Sequence, residues 1–152
     1  MRLSTKGRYG LRAVVDLAIY SKDEAVSISS IAAREDLSES YLEQLIAKLK
    51  KAGLVNSIRG TNGGYILAKK PKEISVGDIL RALEGDLAVV ECPNSDSECA
   101  NFDSCVTKYV WKRINDSINT AVDSMTLDEI VENSHKLEKY IPSENEGKTY
   151  NC

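Results

Sequence analysis

The stretch that decides the fold is residues 27–67, SISSIAAREDLSESYLEQLIAKLKKAGLVNSIRGTNGGYIL. Ser27 can cap a short helix whose inward side chains are Ile28, Ile31 and Ala32 and which stops near Asp36. After Leu37, the run Ser38-Glu39-Ser40-Tyr41-Leu42-Glu43 brings the serine and early carboxylates of a helix start, with Ser40 and Glu43 spaced for a capping box. In the helix that follows, Leu42, Leu45, Ile46 and Leu49 share one face, Ser40, Glu43, Gln44 and Lys48 lie on another, and Gly53 ends it. Two short helices joined by a tight turn, the second with a polar and partly basic outer face, form a helix-turn-helix. Two strand-like runs, Leu54-Val55-Asn56-Ser57-Ile58 and Tyr65-Ile66-Leu67-Ala68, then flank Arg59-Gly60-Thr61-Asn62-Gly63-Gly64. That is a hairpin, in which Asn62-Gly63 and the extra glycines are expected to supply positive backbone dihedrals. With Arg59 at its base and little side chain at its tip, it suits close approach to a sugar-phosphate backbone, as the wing of a winged helix does.

Upstream, residues 4–21 carry Tyr9, Leu11, Val14, Val15, Leu17, Ala18 and Ile19, the spacing of a largely buried helix. Downstream of Pro71, Ser75 can cap a helix with Val76, Ile79, Leu80 and Leu83 inward and Gly85 at its end. Residues 86–101 read as irregular. From about Phe102 to Met125, Val106, Val110, Ile114, Ile118 and Val122 recur every fourth position beside Trp111, which predicts one helix of about 23 residues, or about 35 Å. Nothing in the rest of the chain looks large enough to cover that face, so packing against the same helix of a second copy is expected. A last helix is expected over 127–140, then a polar tail over 142–152. The expected fold class is mainly α with a small β-hairpin wing: a winged helix-turn-helix over 1–72, a loop and dimerisation helices over 73–142, and a tail over 143–152.

Charge is unevenly divided. Residues 1–72 hold 13 Lys+Arg against 7 Asp+Glu, net +6, and residues 73–152 hold 7 against 16, net -9, giving -3 for the chain. A basic first half is what a phosphate-contacting surface needs. No apolar run approaches the roughly 20 residues of a membrane span, so no membrane partner is expected. The basic stretch Met1-Arg2-Leu3-Ser4-Thr5-Lys6-Gly7-Arg8 lacks the apolar core of a secretory signal, and a cytoplasmic location is expected.

Three of the four cysteines, Cys92, Cys99 and Cys105, lie within fourteen residues on a turn-rich stretch. In a reducing compartment such a cluster reads as metal or redox chemistry rather than disulfides. The separations, six and five intervening residues, fit zinc poorly, whereas thiolates holding an iron-sulfur cluster tolerate them. A thiol enzyme is not supported: there is no C-x-x-C, no phosphate-binding loop, and the single histidine, His135, is far along the chain. An adaptor using the winged domain without DNA is the remaining non-regulatory reading; binding to heparin but not to operator DNA would favour it.

Met1-Arg2-Leu3 with Lys6-Gly7-Arg8-Tyr9, Ser40-Tyr41-Leu42-Glu43-Gln44-Leu45, Gly53-Leu54-Val55, Arg59-Gly60, Gly63-Gly64-Tyr65 and the three-cysteine segment before Trp111 together resemble the Rrf2 family of bacterial transcription regulators, its iron-sulfur-regulating branch most of all. The resemblance implies a homodimer that binds a double-stranded DNA operator, probing the major groove with the recognition helix and the minor groove with the wing. The DNA contacts it implies are Ser38, Ser40, Tyr41, Glu43, Gln44 and Lys48 on the helix, Arg59 on the wing, and Arg2. Gln44 can pair with adenine and Glu43 can accept from cytosine, although Glu43 also reads as a capping carboxylate. Cys92, Cys99 and Cys105 are implied to hold an iron-sulfur cluster, 2Fe-2S by preference, with 4Fe-4S in a related nitric-oxide-sensing branch. Where the resemblance expects a histidine ligand this chain has Lys108, which leaves His135, Cys152, Asp103, Glu98 or a thiol from solution as the fourth donor. The nitric-oxide-sensing branch takes an acidic ligand near the first helix, where this chain has Arg8. A third branch, regulating cysteine metabolism, shares the first half but lacks the cluster cysteines.

Overall fold

The computed structural model describes residues 2–90 and 99–138. Along the chain run α1 (Thr5–Tyr20), α2 (Ile28–Glu35), α3 (Glu39–Lys51), β1 (Val55–Ile58), β2 (Gly64–Leu67), a 3-10 turn (Pro71–Glu73), α4 (Val76–Glu84), α5 (Lys108–Ser124) and α6 (Leu127–Glu138). The fold class is as expected: mainly α, with an antiparallel β1–β2 hairpin pairing Val55 with Leu67 and Ile58 with Gly64.

Helix starts follow local chemistry. Ser27 Oγ accepts from the Ser30 N–H at 3.2 Å and Ser38 Oγ from the Tyr41 N–H at 3.2 Å, each satisfying an orphan donor of a first turn. The recognition helix is therefore capped by Ser38. The expected Ser40–Glu43 box does not form, because with the cap at Ser38 both residues fall inside α3 and point outward. Gly53, at φ 75°, closes α3: its N–H reaches the Lys50 carbonyl at 2.9 Å and the Leu54 N–H reaches Leu49 at 3.0 Å, a Schellman pair that turns the chain into β1.

One core holds the head together. Val14 and Leu17 of α1, Ile31 of α2 and Leu42, Leu45, Ile46 and Leu49 of α3 are all at most 1% exposed. Each contributes on the order of 1.5–3 kcal/mol of burial. The same core takes in Ile79 and Leu83 of α4 and Leu127 and Val131 of α6, so the helices beyond residue 72 are packed onto the helix-turn-helix.

Three departures from expectation have physical causes. The hairpin turns with positive φ at Gly60 and Gly64, not at Asn62-Gly63, and a Cβ on Gly64 would strike the Val26 carbonyl. That close approach lets Val26 and Tyr65 exchange backbone bonds of 2.9 and 2.8 Å, adding a third strand position to the wing. The long helix starts at Lys108 rather than 102, because 100–104 form turns, with the Phe102 N–H on the Cys99 carbonyl at 3.0 Å and Ser104 Oγ on the Asn101 carbonyl at 3.3 Å. Finally, the second half of α5 does have an intrachain partner. Ile118 and Val122 pack on Val76, Leu80 and Leu87, while Arg81 bonds Asn119 and pairs with Asp123. The first half is left outward, with Tyr109 and Val110 69% and 51% exposed. The expected last helix and tail run past residue 138, outside the described residues.

Candidate nucleic-acid interface and cysteine turn

Burying Leu42, Leu45, Ile46 and Leu49 turns Ser40, Glu43, Gln44 and Lys48 outward, and Ser38, Ser40, Glu43 and Gln44 stand exposed as a polar ridge on α3. Lys48 lies on that side, but its ammonium donates to the Leu83 carbonyl at 3.3 Å and so ties α3 to the end of α4. Tyr41 is half-buried rather than outward: its ring meets Tyr9 edge-on at 6.3 Å and its hydroxyl contacts Thr5 Oγ1 at 3.4 Å. Arg59, at the end of β1, and Arg2, ahead of α1, are both exposed. Lys50 Nζ donates to Ser57 Oγ at 2.9 Å, which fixes the wing to the recognition helix and leaves the wing's Arg59 clear of that bond.

The orientation of α2, the first helix of the pair, is set by a charged clamp. Arg34 Nε and Nη2 donate to the two oxygens of Asp16 on α1 at 2.6 and 2.8 Å, and the guanidinium lies 4.0 Å over the Tyr20 ring. The Asp16 bonds are the main cause that raises the Arg34 pKa, against a smaller opposing effect of burial.

Sequence reasoning missed the glycines of α1. A Cβ on Gly7 would stand 2.7 Å from Glu84 Oε1, and one on Gly10 would overlap Leu83 Cδ1, so α1 and α4 approach as closely as they do because these residues lack side chains. The only sequence signal was the string Lys6-Gly7-Arg8-Tyr9-Gly10 itself, with two glycines inside a helical pattern.

Of the cysteines, Cys99 is exposed and Cys105 half-buried, at either end of the turn that leads into α5; Cys92, with Glu98 and Cys152, lies outside the described residues. Among the described residues no three His, Cys, Asp or Glu side chains converge as a metal site. The donor chemistry nonetheless suits a thiolate-held group. A Thr107 bond to the Cys105 sulfur is the main cause that lowers the thiol's pKa, aided by backbone donors and the charge of Lys108. Lys108 itself donates to the Phe102 carbonyl at 3.0 Å and lies 4.7 Å over the Phe102 ring, so it serves the turn as a cation rather than as a ligand. Asp103 lies in the same turn, whereas His135 is on α6. The loop after α4 is also tied to α5, through the Val89 N–H on Asn115 Oδ1 at 3.0 Å.

A capped recognition helix with an outward polar ridge, braced by α1 and flanked by a hairpin, defines a winged helix-turn-helix transcription regulator, a DNA-binding protein and not an enzyme. The Rrf2 family model, described as an iron-dependent transcriptional regulator, matches residues 3–133, and the chain belongs to that family. It is 40% identical over 137 residues to the HTH-type transcriptional regulator IscR of Pectobacterium atrosepticum, covering 90% of this chain and 83% of that protein. Among solved structures it is similar to T. potens IscR, with 46% identity, TM-score 0.72 and 91% of each chain covered. It is also similar to CymR, the global cysteine regulator of B. subtilis, with 41% identity, TM-score 0.71, and 87% of this chain and 97% of that one covered. Among the described residues no helix is long and apolar enough to cross a membrane.

Proposed function

We propose that the protein is a cytoplasmic, homodimeric repressor that reports iron-sulfur status through a cluster held by Cys92, Cys99 and Cys105. The observation that carries the DNA half of this reading is the exposed ridge on α3 opposite a fully buried face. Ser38, Ser40, Glu43 and Gln44 meet the duplex there, Gln44 pairing with adenine and Glu43 accepting from cytosine N4. Arg59 and Arg2 supply flanking contacts at the sugar-phosphate backbone or the minor groove. Tyr41 and Lys48 act from behind, holding α3 against α1 and α4.

The outward start of α5 supports the dimer. Val106, Tyr109, Val110 and Ile114 are 83%, 69%, 51% and 37% exposed, an apolar stripe that a second copy would cover by twofold packing. Residues 1–72 then form the reading head, and the helices after them set the separation of two heads.

Cys99 and Cys105 bracket the turn that feeds this helix, so fixing their sulfurs fixes the turn against α5 and thereby the tilt of the heads. When bound, the cluster, 2Fe-2S by preference, supplies an oxidation-sensitive group whose presence tracks iron and sulfide supply. A non-thiolate fourth donor, Asp103 in the same turn or a thiol from solution, makes that group easier to lose, which suits a sensor.

The likeness to CymR favours a second reading, a regulator of cysteine metabolism in which the three thiols hold nothing. Anaerobic purification with an absorption spectrum and iron and sulfide counts separates the two. Two irons and two sulfides per chain support the first reading, four of each would move it to the 4Fe-4S nitric-oxide-sensing type, and a colourless protein would support the second. Operator titration with the Cys92→Ala, Cys99→Ala, Cys105→Ala triple variant completes the test: affinity and sequence preference unchanged from the loaded protein would defeat cluster sensing.

A further inference from the structure

The N-terminal end of α1 is held by a carboxylate from the far end of α4. Glu84 Oε1 accepts from the Ser4 N–H at 2.9 Å, from Ser4 Oγ at 2.6 Å and from the Gly7 N–H at 2.9 Å. The backbone donors are orphan groups of the first turn, and α1 has no acidic residue of its own there. Burial works to raise the Glu84 pKa, but the bonds from Ser4 and Gly7 outweigh it and hold the carboxyl below its ordinary value. On the other side of the same turn, Thr5 contacts the Tyr41 hydroxyl at 3.4 Å and Tyr9 packs edge-on against the Tyr41 ring. The start of α1 and the start of α3 are thus joined into one surface, and Arg2 lies two residues ahead of the Ser4 anchor. The adjoining residue of α4, Leu83, takes the Lys48 ammonium of α3 on its carbonyl and covers Gly10 with its side chain.

We propose that Glu84 is a positioning residue for DNA binding: by pinning Ser4 it holds the arm bearing Arg2 beside the first turn of α3, so that arm and recognition helix meet the duplex in one fixed register. The inference rests on the DNA-contact reading above and adds to it a residue that belongs to neither the recognition helix nor the wing. Glu84 repels phosphate and could not itself contact the backbone; it acts only through the arm. Pinning the arm beforehand removes part of the ordering cost that a free arm would bear on binding. Without the pin, Arg2 still carries its charge but loses its place.

The test is a double-mutant cycle between Glu84→Ala and Arg2→Ala in the full chain. Binding to the duplex that the unaltered protein selects from a randomised library is titrated over a series of salt concentrations, and thermal melts follow the fold. Each single variant is expected to weaken binding by roughly tenfold and to lower the salt slope by about 0.9, the signature of one phosphate contact, with the double variant no weaker than the weaker single. Gly7→Ala, whose Cβ would displace the carboxylate, should reproduce Glu84→Ala, while Glu84→Gln, which keeps an acceptor oxygen, should lose less. A Glu84→Ala loss that adds fully to that of Arg2→Ala, or one that appears in the melt but not in the salt slope, would reduce Glu84 to a helix cap and overturn the proposal. Should Arg2→Ala bind normally while Gln44→Ala does not, the inference falls and the DNA-contact reading stands; should neither matter, the reading beneath it falls.

Discussion

Replacing Arg34 with alanine probes the clamp that orients the helix-turn-helix. The Asp16 side chain is 2% exposed and its guanidinium partner 33% exposed, with two bonds of 2.6 and 2.8 Å between them. Removing one member of a buried pair costs about 3–5 kcal/mol, because the carboxylate left behind is poorly solvated. Here the open third of Arg34 lets water reach the vacated site, which brings the expected loss to about 2–3 kcal/mol. In a chain of 152 residues that corresponds to a fall in melting temperature of about 5–10 °C. Thermal and urea unfolding followed by circular dichroism measures it directly. The Asp16→Ala, Arg34→Ala double variant should be more stable than Arg34→Ala alone, because no stranded charge remains. Full additivity of the two single losses, or an Arg34→Ala melt within about 1 °C of the unaltered protein, would refute the reasoning.

Gly10→Ala should destabilise by about 1–3 kcal/mol in urea unfolding, since its Cβ overlaps Leu83 Cδ1 and α1 must move off α4. Stability should also depend on pH through Glu84. Its folded pKa lies below the ordinary value of 4.5, so its contribution is fully present above that pH and is lost as pH falls through the lowered folded value. The stability gap between the unaltered protein and Glu84→Gln is therefore expected to be constant near neutrality and to shrink below pH 4.5 in urea melts. Replacing Ser38 with alanine should cost about 1 kcal/mol by removing the cap of α3, whereas Ser40→Ala should leave stability unchanged and reveal itself only in operator titration.

Elements whose signals are local were legible in the sequence. The four-residue apolar spacing of α3, the serine ahead of α2 and the glycine after α3 each act within one or two turns of themselves, and the structure has them where the pattern set them. What escaped are pairings across long stretches of chain. The Glu84–Ser4 contact joins residues 80 apart, and the Val26–Tyr65 bridge follows from a missing Cβ at Gly64 that only the folded approach makes necessary. The start of α5 was misplaced because Val106 continues the apolar period, although the polar turn 100–104 breaks the helix before it. Outward side chains on α3 were legible as a set, but not the separate duties of Lys48 and Tyr41, since a side chain's partner on another helix leaves no trace in its own helix's periodicity.

The central claim is that the α3 ridge reads bases. Selecting operators from a randomised duplex library with the unaltered protein and with Gln44→Ala tests it most directly. The unaltered protein should select a palindrome with half-sites spaced by about one helical turn, and Gln44→Ala should relax the preference at one symmetric position with a loss of about 1–3 kcal/mol. Identical selected sequences from both proteins, or no enriched palindrome at all, would contradict the account.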